Sequence, residues 1–207
     1  ESLTAAFRFF ELRHMRGSIQ ESAPGWSAPD GYLIYLGAKL SWNPWYDEEA
    51  LRRDYFSGLY GAGGDAMRRH FELLVAAMRF RPGDQTYIGW SFFPKTSDAQ
   101  LEELDRLLTE AELAVKNDAR ASRAVAYSRQ YYRLFAQIIA VSRLLEEYYR
   151  NPDPAKIPAI DVQMDRMTEF ARPLWEAQQL PHYGTERLMG HWYDFLHDTY
   201  PKLIGKQ

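Results

Sequence analysis

Tyr32-Leu33-Ile34-Tyr35-Leu36-Gly37-Ala38-Lys39-Leu40-Ser41-Trp42-Asn43-Pro44 is the stretch on which the fold turns, because the chain reads differently on its two sides. Asp30 stands where an N-cap would, the run through Lys39, Leu40 and Trp42 reads as helix, and Asn43-Pro44 breaks it. Upstream, residues 3–13 place Leu3, Ala6, Phe7, Phe10 and Leu12 in a helical rhythm. Arg16-Gly17-Ser18-Ile19-Gln20-Glu21-Ser22 is short and carries glycine near its start, which predicts a buried strand of about four to six residues. Residues 23–29, with two prolines, a glycine and Trp26, read as a loop. Helix, strand, loop, helix is one step of an α/β architecture. A single strand cannot make a sheet, so its partners are expected before residue 1.

Downstream the pattern is helical throughout. Asp47 with Glu48 and Glu49 opens a helix to about residue 57, and Gly58, Gly61, Gly63 and Gly64 punctuate the chain after it. A longer helix is expected over 65–79, closed by Arg81-Pro82-Gly83-Asp84, then an aromatic connector over 87–94. Ser97 and Gln100 have capping-box spacing, and Leu101, Leu104, Leu107, Leu108, Ala111 and Val115 form the stripe behind it. Residues 119–150 predict the longest helix, with Tyr127, Tyr131, Leu134, Phe135, Ile138, Val141, Leu145 and Tyr148 on one face, stopped by Asn151-Pro152-Asp153-Pro154. Helices over 159–172 and 185–200 complete a bundle-like array.

At 207 residues and 46% hydrophobic content the chain can bury one sizeable core. A net charge of −3, with no Lys/Arg-rich run, argues against a nucleic-acid surface. The absence of cysteine removes thiolate metal sites, a cysteine nucleophile and disulfide staples. No stretch is apolar enough to predict a membrane span. The chain opens at Glu1 without Met or a signal peptide, which reads as a processed or cut end.

The block around Trp42 is more specific than any periodicity. It continues through Asp47, Leu51, Asp54, Tyr55-Phe56, Gly58, Tyr60-Gly61 and Ala66-Met67. Over residues 5–80 this resembles the bacterial family known as domain of unknown function 4838. There a Lys-Leu-Leu-Trp-Asn-Pro block precedes an acidic helix, a Phe-x-x-Gly-Tyr-Tyr-Gly block and an Ala-x-x-Met helix. Ser41 stands here for a usual Leu, Leu59 for the first Tyr, and Gly63-Gly64 where Pro-Ala is common.

The resemblance implies a TIM-like barrel joined to a helical C-terminal region, in a glycoside hydrolase related to hexosaminidases and α-glucuronidases. On that implication residues 1–43 are the terminal βα unit of a (β/α)8 barrel and 44–207 a helical C-terminal domain. The fold class expected is therefore mainly α, a bundle-like domain preceded by the last strand-helix unit of the barrel. The parent would hydrolyse β-linked N-acetylglucosamine-containing glycans at the periplasm or cell surface, without a cofactor. Barrel sites lie at the C-terminal ends of the strands, which points to Glu21, Trp26 and Gln20 as substrate-binding residues. The acid/base groups of such barrels come from a middle strand, so no catalytic residue is expected in this chain. The Trp-Asn-Pro block itself reads as a helix stop that anchors the bundle to the barrel wall.

The opposing reading is a stand-alone helical binding or scaffold module without catalysis. The two differ in surface: a chain parted from its barrel should expose apolar side chains around Phe7, Phe10 and Ile19. His191, Asp194 and Asp198 share a helical face but read as solvated surface rather than a metal site. Glu102, Glu103, Asp105, Glu110 and Glu112 read as the charged outer face of a helix. Trp90, Phe92 and Phe93 read as a buried corner. Gly61-x-Gly63-Gly64 lacks the Lys-Ser/Thr of a phosphate loop.

Overall fold

Asp47 caps the helix after the Trp-Asn-Pro stop: its carboxylate accepts the Glu49 N–H at 3.0 Å, satisfying a first-turn donor that has no intrahelical partner. The computed structural model describes residues 3–15, 28–77 and 96–176. Within them the chain forms α1 (Leu3–Leu12), α2 (Ala28–Trp42), α3 (Glu48–Tyr60), α4 (Gly64–Ala77), α5 (Asp98–Ala114), α6 (Ala119–Arg150) and α7 (Ile157–Glu176). Short 3-10 turns, Gly61–Gly63 and Pro154–Lys156, precede α4 and α7. The described residues contain no strand. The expected strand at 17–21, the connector at 87–94 and the helix at 185–200 lie outside them.

Each helix from α1 to α7 packs against the next, and α2 and α3 also reach α6. The first core takes Phe7 from α1, Tyr32, Leu36 and Leu40 from α2, Leu51, Phe56 and Tyr60 from α3, and Met67 from α4. Leu108 of α5 and Val125 of α6 complete it. Tyr32, Tyr55, Phe56 and Phe71 pack ring on ring at centroid distances of 5.1–5.7 Å, within the range that favours edge and tilted contacts. A second cluster joins Leu74, Leu104, Phe135 and Ile139. A third holds α7 on the far half of α6 through Leu134, Val141, Leu145, Tyr148, Ile157, Ile160 and Met167. α6 thus runs through all three, which is why it can be so long: its face changes partner instead of meeting solvent.

Several boundaries differ from the sequence reading. α2 begins at Ala28, so Asp30 lies inside its first turn and is not its cap. Pro29 is no obstacle there, because first-turn N–H groups lack partners anyway. α3 runs past Ser57 to Tyr60; a helical Gly58 costs roughly 1 kcal/mol, which burial of Tyr60 outweighs. α7 begins at Ile157 and passes through Pro173 to Glu176, forfeiting one backbone bond near its end. Asp153, read only as part of a stop, caps the turn that leads into it. Ser97 and Gln100 do form the reciprocal capping box.

Candidate functional site

Gln20, Glu21 and Trp26 lie outside the described residues, and so do His191, Asp194 and Asp198. The two helices that flank residues 20–26, α1 and α2, are described, and both are fixed to the bundle. Phe7 is 6% exposed, and Leu3 and Phe10 pack beside it on the first core. The expected exposure of Phe7 and Phe10 is therefore not found. Helical spacing puts them on the docked face and turns Phe9 and Leu12 outward, and Met15 beyond them is exposed as well.

α1 is also tied to the turn after α2. The Arg8 Nε donates to the Pro44 carbonyl at 3.1 Å, and its guanidinium lies 5.3 Å from the centroid of the Trp45 ring. The Thr4 hydroxyl donates to the Glu48 carboxylate. The turn has its own frame: the Asn43 N–H bonds to the Lys39 carbonyl at 2.9 Å, and the Asn43 side-chain oxygen accepts the Trp45 N–H at 2.9 Å. This corner leaves three aromatic side chains in the open. Trp42 is 86% exposed, Trp45 57%, and Tyr46 is also exposed. Beside it is an open cleft of ≈ 570 Å³ lined by Thr4, Arg8, Phe9, Leu12, Asp47 and Glu48.

Behind the cleft, Arg52 pairs with Glu48, Glu49 and Glu72, linking α3 to α4. The buried Tyr32 hydroxyl lies next to this guanidinium without a well-aligned hydrogen bond. Burial pushes the Tyr32 phenol above its ordinary range, and Arg52 opposes that shift. Tyr35, which donates to Asp54 at 2.5 Å, is raised to about 12 by burial and by that carboxylate. Both are neutral phenols at physiological pH.

Four acidic residues of α5 are ion-paired, partly along the helix and partly to α4 and α6. Glu103 and Glu110 meet Arg106, and Asp105 and Glu112 meet Arg129. Among the described residues no group of three or more His, Asp or Glu is arranged to hold a metal ion. No described helix is long and apolar enough to cross a membrane.

Sequence reasoning treated the Trp-Asn-Pro block only as a helix stop and missed the cleft beside it. The available signal was three aromatics in the five residues 42–46, next to a carboxylate pair. No protein-family model matches the chain, and neither a curated protein nor a solved structure matches it significantly. The family resemblance therefore rests on the motif residues alone.

Proposed function

We propose that this chain is the helical support of a bacterial glycoside hydrolase whose barrel and catalytic groups precede it. The observation that supports the reading is the exposed apolar row Phe9, Leu12 and Met15, on α1 and just after it, opposite the docked Phe7 and Phe10. The helices on either side of residues 16–27, α1 and α2, both dock on one bundle. Such a mount limits the positions open to a substrate-binding segment, which is how a support domain contributes to binding without reacting. In this reading Glu21 and Gln20 accept or donate hydrogen bonds to sugar hydroxyls and Trp26 lies under a ring. The exposed Phe9, Leu12 and Met15 supply the contact with the barrel. The substrate class, a β-linked N-acetylglucosamine-containing glycan cleaved outside the cytoplasm, comes from the resemblance.

The test uses the full-length native protein beside the chain of residues 1–207. Phe9→Asp combined with Leu12→Asp should lower the melting temperature of the full-length protein by several degrees, about 2–4 °C per kcal/mol of lost contact. The same pair should leave that of residues 1–207 unchanged, since both side chains are exposed in it. Equal, negligible shifts in both proteins would remove the barrel contact from the account.

The packing of Phe7 and Phe10 favours a second reading, a self-sufficient helical binding module. It expects no partner-dependent shift in that comparison and no hydrolysis by the intact gene product.

A further inference from the structure

We propose that the aromatic corner at 42–46 and the adjoining cleft bind a saccharide, at a place separate from Gln20, Glu21 and Trp26. The inference does not depend on the glycosidase reading. Its starting point is that Trp42 and Trp45 are among the costliest kinds of side chain to leave in water, yet they stand 86% and 57% exposed. They are not on a loose loop. The Asn43 side chain and backbone pin the turn, and Arg8 holds it from α1 through both the Pro44 carbonyl and the Trp45 ring. Rigid aromatic faces held out to solvent suit a ligand that is itself flat and partly apolar.

The surroundings select among such ligands. The cleft carries the Arg8 guanidinium and the Asp47 and Glu48 carboxylates between the apolar Phe9 and Leu12. A purely apolar helix laid on this surface would strip water from three charged groups and return no hydrogen bonds. A pyranose answers both demands. Its C–H face lies on an indole, and its hydroxyls both accept from guanidinium and donate to carboxylate. The carboxylates retain free lone pairs for this, since each oxygen accepts more than one bond. Arg8 already covers one face of Trp45, so the opposite face and Trp42 are where a ring would stack.

Chitotriose, cellotriose and maltotriose titrated into the purified chain, monitored by tryptophan fluorescence and calorimetry, test this. At least one should bind in the millimolar range or tighter. Trp42→Ala and Trp45→Ala should each weaken that binding at least tenfold. Trp42→Ala should leave the melting temperature unchanged, and Trp45→Ala should lower it only slightly through the lost Arg8 contact. Trp45→Phe should retain much of it, and Trp26→Ala should leave it intact. Absence of binding by all three sugars overturns the proposal. So does binding that survives both Trp42→Ala and Trp45→Ala, or that disappears with Trp26→Ala alone. Phe9 and Leu12 border this cleft and also carry the proposed barrel contact, so the sugars are titrated into residues 1–207, where both side chains are exposed. The melting comparison then reads the barrel contact and the Trp42 and Trp45 variants read the sugar site, and the two ideas fail separately.

Discussion

His70 lies on α4, 3% exposed, with its Nδ1 3.1 Å from the Leu104 carbonyl oxygen of α5. A carbonyl only accepts, so Nδ1 carries the proton and donates in the neutral ring. Burial holds the imidazole neutral and lowers its pKa from the ordinary 6.5 to about 4. The unfolded chain binds that proton near 6.5, so between pH 6.5 and 4 it holds more protons than the folded chain. Stability from this group is complete above pH 6.5 and falls as the pH drops towards 4. From pH 7 to 5 the loss is roughly 2 kcal/mol. Urea denaturation at the two pH values should show it, and His70→Leu should flatten the fall. An equal fall in the variant would contradict the assignment to His70. A contrast between glycines operates at the same scale. A Cβ on Gly64 would meet backbone of Phe56 at 2.8 and 3.1 Å, whereas one on Gly58 meets nothing within 4 Å. Gly64→Ala should therefore destabilise by about 1–3 kcal/mol, and Gly58→Ala should stabilise by about 0.5–1 kcal/mol. The sequence marks these positions as glycines, but which of them faces backbone depends on how α3 and α4 cross, and no local pattern carries that.

Helix ends were the most legible elements where a side chain declares them. Ser97 and Gln100 form their capping box and Asp47 caps α3, whereas Asp118, which the sequence reading passed over, accepts the Arg120 and Ala121 N–H groups at 2.9 and 3.0 Å. Ser97→Ala and Asp118→Ala should each cost about 1 kcal/mol. They should add in the double variant to within a few tenths, since the caps serve different helices. Asp30 was read as a cap and is not one, since α2 begins at Ala28, and α7 continues past Pro173, where the sequence alone predicts a stop. The stripe behind Ser97 was read well: Leu104, Leu107, Leu108, Ala111 and Val115 are all buried. The face of α6 was read less well. Leu134, Phe135, Val141, Leu145 and Tyr148 are buried, but Tyr127, Tyr131 and Ile138 are half-buried while Ser128 and Ser142 are fully so. Over 32 residues the buried stripe drifts around the helix as its partners change from α3 and α5 to α7.

At the scale of the whole molecule, α7 is held among the described residues by the third cluster, away from the core that joins α1 to α5 and the first turns of α6. Ile160, fully buried there, tests the separation. Ile160→Ala should cost about 2–4 kcal/mol and speed hydrogen exchange in α7 and the last turns of α6, leaving α3 and α4 protected. Uniform acceleration across α3 and α7 would mean that the bundle opens as one unit. This assembly was the part least open to sequence reading. A helical array could be predicted from periodicity, but the convergence of Phe7, Tyr32, Phe56 and Leu108 joins residues far apart in the chain and leaves no local trace. The proposed support role depends on that convergence and on a barrel joined to it. The most direct test is an immunoblot of source cells with antibody raised against residues 1–207. A (β/α)8 barrel needs roughly 250 residues, so the account predicts a native band at more than twice 24.2 kDa, in a protein that hydrolyses N-acetylglucosamine-containing glycans. A native band near 24.2 kDa would contradict it.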